Sequence, residues 1–456
     1  MPRLPARLAH REVTDADVRR SYAFDATVAL GPPPDDFTVV RARDVDDVVA
    51  VLEHAQATAT PVVPQGARTS RAGGATATGG CIVLNVEGLD AIRELDPLEG
   101  YAVVGPGVVN AALKQAAAEV GLFYGPDPAS WQTCTIGGNV ATNAGGLCCV
   151  KYGVTADWVK ALEVVLPGGE VMRTGHRTAK GAAGYDLTGL FVGSEGTLGV
   201  VTEAVVRLAP APDPALTALA VFDSLDAAVA GIVALRLDRH RPCLLEVIDR
   251  TSVRAIQAFG DFGFPDDCAA VLLVQSDRPG HVAEDLARYA GLLGSAGATA
   301  VAVADDTQES EALLAGRRVM STAFEAMGGR LAEDVCVPIG RLAEFVRGIE
   351  AISERRSVVV PVSGHGGDGN LHPSIVYAHD DPDSLARAWQ AFDDVIRLGL
   401  SLGGTITGEH GIGSLKVPWL GLELGDAELG RQQRLKGVFD PLGIMNPGKV
   451  FASPRQ

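Results

Sequence analysis

At 456 residues the chain is too long for one ordinary hydrophobic core and long enough for two or three domains. Hydrophobic residues at 47% and charged residues at 21% are the balance of a folded chain rather than a disordered one. The 39 basic against 56 acidic residues leave a net charge of -17 with no Lys/Arg-rich run, which argues against nucleic acid as a partner.

Seven cysteines, an odd number without a C-x-x-C pair, read as reduced thiols in a cytoplasmic protein. The opening "MPRLPARLAHREVTDADVRR" lacks the apolar centre of a secretion signal, and no segment approaches the roughly 18 apolar residues of a membrane span. The expectation is a cytoplasmic chain with no membrane span, any membrane association running through a partner.

From about Phe37 to Leu208 short apolar runs alternate with Gly/Pro/Asp turns and helical stretches, as in "TVVRA", "DVDDVVAVLEHAQ", "PVVPQG", "CIVLN", "YAVVGPG" and "LGVVTEAVVRL", an α+β alternation. Two runs in this part are too poor in side chains to serve packing: "VPQGARTSRAGG" from Val63 and "CTIGGNVATNAGG" from Cys134. Backbone N–H groups in Gly-rich turns form concave anion sites, and neighbouring Ser, Thr and Asn add donors, so a pyrophosphate is the expected guest. Neither run has the G-x-x-x-x-G-K-[ST] spacing of a nucleoside-triphosphate loop.

The Pro/Ala-rich "LAPAPDPAL", Leu208 to Leu216, marks a domain boundary. Beyond it "SLDAAVAGIVALRLD", "PCLLEVID", "CAAVLLVQSD" and "HVAEDLARYAGLL" read as a sheet covered by helices. In "LLAGRRVMSTAF", Arg317 or Arg318 is a candidate carboxylate clamp, because a guanidinium grips both oxygens at once.

The stretch "SGHGGDGNLHPSIVY" from Ser363 admits two parses. Gly364, Gly366 and Gly369 match a G-x-G-x-x-G dinucleotide fingerprint, but that motif opens a helix, and "NLHPSIVY" places Pro and β-favouring residues there instead. A hairpin or wide turn about "GGDGN" brings His365 and His372 to one side. Two imidazoles and a carboxylate suit Zn²⁺ or a similar first-row ion with positions left open for substrate, and Glu409 in "TGEHGIGSLK" is the best third ligand. His410 beside it is the candidate general base, its proton affinity lowered by the neighbouring cation. Lys416 could assist at the substrate anion or the cofactor. The closing "AELGRQQRLKGVFDPLGIMNPGKV" is a helix with a Pro/Gly-punctuated tail able to return to the first domain.

The pieces "PDPAS", "TIGGNVATNAGG", "KYGVT", "GSEGTLGVVTEA", "HGGDGNLHP", "GEHGIGSLK" and "NPGK" make the chain, from about Phe37 to Val450, resemble the FAD-linked oxidoreductases of the vanillyl-alcohol oxidase/p-cresol methylhydroxylase type. The resemblance is to the branch of glycolate oxidase catalytic subunits, D-lactate dehydrogenases and D-2-hydroxyglutarate dehydrogenases. It implies an α+β protein. A two-subdomain FAD-binding fold would occupy residues 1–210, an α/β cap domain with an antiparallel sheet covered by helices and the substrate and metal sites 211–415, and a C-terminal segment returning to the FAD domain 416–456.

By the same resemblance Pro64, Gln65, Gly66, Ala67, Arg68, Thr69 and Ser70 turn over the pyrophosphate. Pro126, Asp127, Ser130, Thr135, Gly137, Gly138 and Asn143 would line the FAD, with Gly199 and Val200 along it and Asn446 reaching it from the tail. It makes His365, His372 and Glu409 the metal ligands and favours Arg317 over Arg318. The turn that carries a flavin-linking His in some relatives reads "GARTS" here, so FAD is expected without a covalent link.

The reaction implied is oxidation of a small 2-hydroxy acid, Arg317 holding the carboxylate, the metal the hydroxyl, His410 removing its proton and hydride passing to flavin N5. Ungapped offsets put Ala332 and Ser374 where 2-hydroxyglutarate members use Lys and Asn for a second carboxylate. Glycolate or D-lactate is therefore the expected substrate and D-2-hydroxyglutarate the alternative. An iron–sulfur partner subunit, a quinone or a cytochrome chain stays open as electron acceptor, and a homodimer as assembly. A zinc hydrolase and a non-catalytic flavin-binding subunit are the competing readings from other classes.

Overall fold

The computed structural model describes residues 4–27, 31, 34–260, 262–265 and 267–452. The chain divides into two compact units, one of Met1–Gly146, Gly153–Ala211 and Glu409–Gln456, the other of Leu147–Tyr152 and Pro212–Gly408.

After two short helical turns the first unit builds β1 (Thr38–Arg41), α1 (Val45–Thr58), β2 (Val62–Gln65) and β3 (Ile82–Asn85), and these three strands pair in parallel in the order β1-β3-β2. Asp44 caps α1 by accepting the Asp47 N–H at 2.9 Å. Val48, Val51, Leu52 and Ala55 recur at helical spacing, so they share one face, and that face packs with Val62, Ile82 and Leu84 in one buried cluster.

A second, antiparallel sheet is made by β4 (Ile92–Asp96), β5 (Tyr101–Val104), β6 (Val159–Val165), β7 (Val171–Gly175) and β8 (Val200–Arg207), in the order β4-β5-β8-β6-β7. The short helix α2 (Ile136–Thr142) lies between β5 and β6 in sequence and carries the second glycine run.

In the second unit β9 (Leu216–Phe222), β10 (Leu244–Asp249), β11 (Ala270–Ser276), β12 (Ala300–Val303), β14 (Val335–Cys336), β15 (Ser363–His365) and β16 (Asn370–Leu371) form one sheet in the order β12-β9-β11-β10-β15-β16-β14. A two-stranded ladder joins β13 (Gly329–Ala332) to β17 (Ser374–Tyr377). Val271 and Leu273 of β11 pack with α4 (Arg250–Phe259) and α6 (Thr307–Glu325) through Val253, Ile256, Met320 and Phe324. The alternate residue Leu272 lies close to Gly231 of α3 (Leu225–Leu237), as does Leu293 of α5 (Val282–Ser295). Both faces of the sheet are therefore covered, which is why "AVLLV" is apolar throughout instead of alternating.

The unit boundaries differ from those expected in two places. Leu147–Tyr152 goes with the second unit because Lys151 pairs with Asp277, the Tyr152 hydroxyl donates to the same carboxylate at 2.5 Å, and Arg236 donates to the Val150 carbonyl at 3.4 Å. The segment from Glu409 goes with the first unit, where the Ser414 and Leu415 N–H groups both donate to the Ala72 carbonyl at 3.0 Å.

The tail after α9 (Val417–Phe439) runs along the edge of β2, the Val62 N–H donating to Ile444 at 2.8 Å and the Asn446 N–H to Val62 at 2.8 Å. Asp440 fixes its turn. Its carboxylate accepts from the Ile444 and Met445 N–H groups at 3.0 and 2.9 Å and from Lys436 Nζ at 2.7 Å, and Lys436 also donates to the Thr197 carbonyl at 2.7 Å. Asp440→Ala should leave the half-buried Lys436 without its carboxylate and two buried backbone donors without an acceptor, and destabilise the protein by about 2–4 kcal/mol. A urea titration followed by near-UV circular dichroism reads the loss, and a midpoint within error of the parent's would remove Asp440 from the fold's supports.

Candidate active site

The first unit contains a cavity of about 410 Å³, within the range of small-ligand and cofactor pockets. Its wall comes from the loop after β2, the turn before and into α2, the loop before β8 and the start of the 409–413 segment. Of the residues expected at the flavin, Pro64, Gln65, Gly66, Ala67, Arg68, Thr69, Ser70, Ser130, Thr135, Gly137, Gly138, Gly199 and Val200 line it.

Pro126, Asp127, Asn143 and Asn446 are not on that wall. The Pro126 carbonyl accepts from Asn110, and Asp127 backs directly onto Gly146, where a Cβ would meet its carbonyl oxygen at 2.3 Å. Asn143 ends α2 in the left-handed region (φ 51°) and accepts the Ala156 N–H at 2.8 Å. The Asn446 amide donates to the carbonyls of Gly74 and Glu195 at 2.9 and 2.8 Å, holding wall segments together from behind.

The wall is prepared for a polar guest. Ser70 Oγ and Gln65 Oε1 are buried and have no hydrogen-bond partner among the described residues. Orphans of this kind cost free energy until a ligand or water meets them.

Glu409 and His410 lie on the same wall, the carboxylate 3.7 Å from the imidazole Nε2. Their loop is held by Glu195, which the sequence reading did not single out. This buried carboxylate accepts the Ile412 and Gly413 N–H groups at 2.8 Å each. Gly411 (φ 82°) must lack a side chain, since a Cβ there would sit 2.8 Å from Glu195 Oε1. Burial pushes the Glu195 carboxyl up to about 7 against the pull of the two N–H bonds.

In the second unit the β15–β16 hairpin brings the two predicted histidines together, their Nε2 atoms 3.3 Å apart with the rings edge to face. Gly369 (φ 89°) makes the turn possible, for a Cβ would lie 2.1 Å from the Val337 carbonyl oxygen. The register of β10 on β15, Val247 opposite Gly364 and Ile248 opposite Ser363, places Glu246 opposite His365. That of β14 on β16, Val335 opposite Leu371, places Asp334 opposite His372. Glu246 and His365 thus share one register level and His372 and Asp334 the next level on the same face, so the two histidines meet diagonally across the hairpin.

Glu246 has no exposed side-chain surface. It accepts from His365 Nδ1 at 2.5 Å and from Arg317 Nε, on α6, at 2.7 Å. Its own burial would raise the carboxyl, yet His365 and Arg317 outweigh that and hold it down at about 2. Arg317 keeps 22% of its side chain exposed, while Arg318 is 58% exposed and pairs with Glu311. Asp334 accepts from Thr407 Oγ1 at 2.7 Å and from the Gly408 N–H at 3.0 Å, and Glu409 is the next residue in the chain.

Lys416 is 1% exposed at the start of α9 and is not on the cavity wall. Glu246 could have been suspected from "PCLLEVID", where one acid interrupts a run otherwise fit for a buried strand.

Residues 38–175 match the FAD binding domain model, and residues 211–450 the model of the FAD linked oxidases, C-terminal domain. The chain belongs to the FAD-linked oxidases. It is 39% identical to the "Glycolate oxidase subunit GlcD" of Bacillus subtilis (strain 168), over 95% of this chain and 92% of that one. It is 34% identical to a D-lactate dehydrogenase of Archaeoglobus fulgidus, over 94% of this chain and 95% of that one. A D-2-hydroxyglutarate dehydrogenase of Stutzerimonas stutzeri is 32% identical over 97% and 96%. Among solved structures, p-cresol methylhydroxylase with substrate bound superposes with a TM-score of 0.79 over 97% of this chain and 94% of that one at 16% identity, a likeness of fold alone. This FAD-linked oxidase is thus an oxidoreductase with the two-domain FAD-binding fold expected from its motifs, and among its described residues no helix is long and apolar enough to cross a membrane.

One consequence concerns pH. With its folded pKa near 7 against about 4.5 unfolded, Glu195 contributes stability that is full below pH 4.5 and is lost as pH rises through about 7. Glu195→Gln should therefore flatten the fall of the thermal midpoint with pH in that window. Parallel slopes for parent and variant would show that the carboxyl does not titrate there.

Proposed function

We propose that this FAD-linked oxidase oxidises a small 2-hydroxy acid, glycolate or D-lactate, to the 2-oxo acid, with FAD held non-covalently and a divalent cation, Zn²⁺ by its ligand set, at His365, His372 and Glu409. The observation that carries the reading is His410: the candidate base stands on the wall of the same cavity as both glycine turns. The names of the relatives, glycolate oxidase subunit and D-lactate dehydrogenase, point to the same substrate class.

The chemistry of the donors suits the cation. Two nitrogens each about 2.0–2.1 Å from a tetrahedral ion lie about 3.3–3.4 Å apart, and the facing Nε2 atoms are separated by 3.3 Å. His365 presents Nε2 because Nδ1 is committed to Glu246. When bound, FAD supplies the two-electron acceptor for the Cα hydride and the cation a Lewis acid at the hydroxyl oxygen.

Arg317 binds the substrate carboxylate, its Nε already fixed by Glu246 and its terminal nitrogens left for the two oxygens. His410 takes the hydroxyl proton, and Glu195 holds its loop in place. The turn of residues 64–70 carries no histidine, which supports a flavin free of a bond at that position.

Ala332 and Ser374 are cross-strand partners on β13 and β17 and offer no cation to a second carboxylate, which favours glycolate or D-lactate over D-2-hydroxyglutarate. Membership of the FAD-linked oxidases removes the zinc hydrolase. The word "subunit" in the glycolate oxidase names supports a partner subunit as the route by which electrons leave.

Anaerobic titration with glycolate, D- and L-lactate, D-malate and D-2-hydroxyglutarate, read at the flavin absorbance, tests the function. Bleaching by glycolate or D-lactate is expected, bleaching by D-2-hydroxyglutarate alone overturns the substrate, and bleaching by none overturns the reaction. His410→Ala should keep FAD and metal yet slow stopped-flow reduction roughly 10²-fold or more, and a parent-like rate and pH profile would place the base elsewhere. His372→Ala should lower metal content with FAD retained, and unchanged metal stoichiometry would exclude His372 as a ligand.

A further inference from the structure

Glu246 is used twice. Its Oε1 accepts from His365 Nδ1 and its Oε2 from Arg317 Nε, and the side chain is wholly buried, so both oxygens are spent on these two partners. A carboxylate only accepts, which makes each partner a donor. For Arg317 that is no constraint. For His365 as the neutral ring a metal ligand must be, it decides the tautomer: the proton sits on Nδ1, and Nε2, the atom facing His372, carries the lone pair.

We propose that Glu246 is a positioning residue that serves substrate and cation together, aiming the Arg317 guanidinium through one oxygen and selecting through the other the His365 tautomer able to bind a metal. This deepens the cation and carboxylate-clamp reading above and rests on it. The geometry is built into the fold: the register that sets Glu246 opposite His365 is that of two buried neighbouring strands, and the residues flanking Glu246 on its own face, Leu244 and Ile248, pack in the cluster that includes α6, the helix of Arg317.

The amide of Glu246→Gln separates this role from simple charge neutralisation. A glutamine has one accepting oxygen and one donating nitrogen. Arg317 Nε can only donate, so it takes the oxygen, and the amide nitrogen is left facing His365 Nδ1. The favoured response is a switch of the imidazole proton to Nε2, which closes that atom to a metal.

The test uses the full-length flavoprotein stripped of metal with a chelator. ¹⁵N-histidine long-range correlation spectra report the His365 tautomer, and competition with a chromophoric chelator reports Zn²⁺ affinity. The parent should show the Nδ1–H form. Glu246→Gln should show the Nε2–H form and bind Zn²⁺ about 10–100-fold more weakly, with FAD content unchanged. Arg317→Ala leaves the Glu246 to His365 bond in place, so it should keep the Nδ1–H tautomer and parent Zn²⁺ affinity while the KM for glycolate or D-lactate rises about tenfold or more.

An Nε2–H parent, or a Glu246→Gln spectrum like the parent's, overturns the proposal, and so does Arg317→Ala weakening Zn²⁺ as much as Glu246→Gln does. Because the tautomer is read without metal, a parent with the Nδ1–H form that binds no Zn²⁺ would sink the metal reading and leave the control of His365 by Glu246 standing.

Discussion

A carboxylate with no exposed surface is tolerated only if its charge is met on every side, and Glu246 imposes that condition on the middle of the second unit's sheet. Meeting it requires a guanidinium from α6 and an imidazole from β15. Those elements are far apart in sequence, and the shared carboxylate fixes the relation between them. The β15–β16 hairpin then has one position available to it, and the second histidine follows from the turn.

The first unit solves a similar problem with backbone. Its cavity wall is assembled from loops rather than from regular elements, and loops hold their shape only when their N–H and C=O groups are engaged. Glu195 engages two N–H groups of the 409–413 segment, the Asn446 amide engages the carbonyls of Gly74 and Glu195, and Asp440 engages the tail that carries Asn446. Polar side chains buried behind the wall thus stand in for the ladder hydrogen bonds that a strand would have provided.

The glycine runs and the hairpin at His365 were legible in the sequence because each depends on local chemistry: conformational freedom, and a Pro that forbids a helix. Arg317 was separable from Arg318 only through family likeness, since neighbouring residues on a helix carry no sign of which one faces inward. Glu195 and Glu246 escaped notice because a charged residue in sequence looks solvated. The apolar run around Glu246 was its one local signal, and it is the strand register and the loop contacts that enclose the two carboxylates. The capture of Leu147–Tyr152 by the second unit was equally hidden, for it turns on Asp277, more than a hundred residues away.

The chain crosses between the two units four times, at 146/147, 152/153, 211/212 and 408/409. Neither unit is a continuous stretch, so a ribosome cannot deliver either one whole before starting the other. The parallel sheet of the first unit is synthesised early, yet the strand edge at Val62 stays bare until Ile444 and Asn446 emerge to bond it, and one wall of the cavity is missing until residues 409–413 arrive. For most of its synthesis the nascent protein therefore carries an open sheet edge and an unfinished pocket, a state in which unpaired strands invite other chains. Such a chain has reason to depend on chaperones during translation, and cutting it at the apparent boundary near residue 211 would yield two fragments that each lack a piece of their own fold.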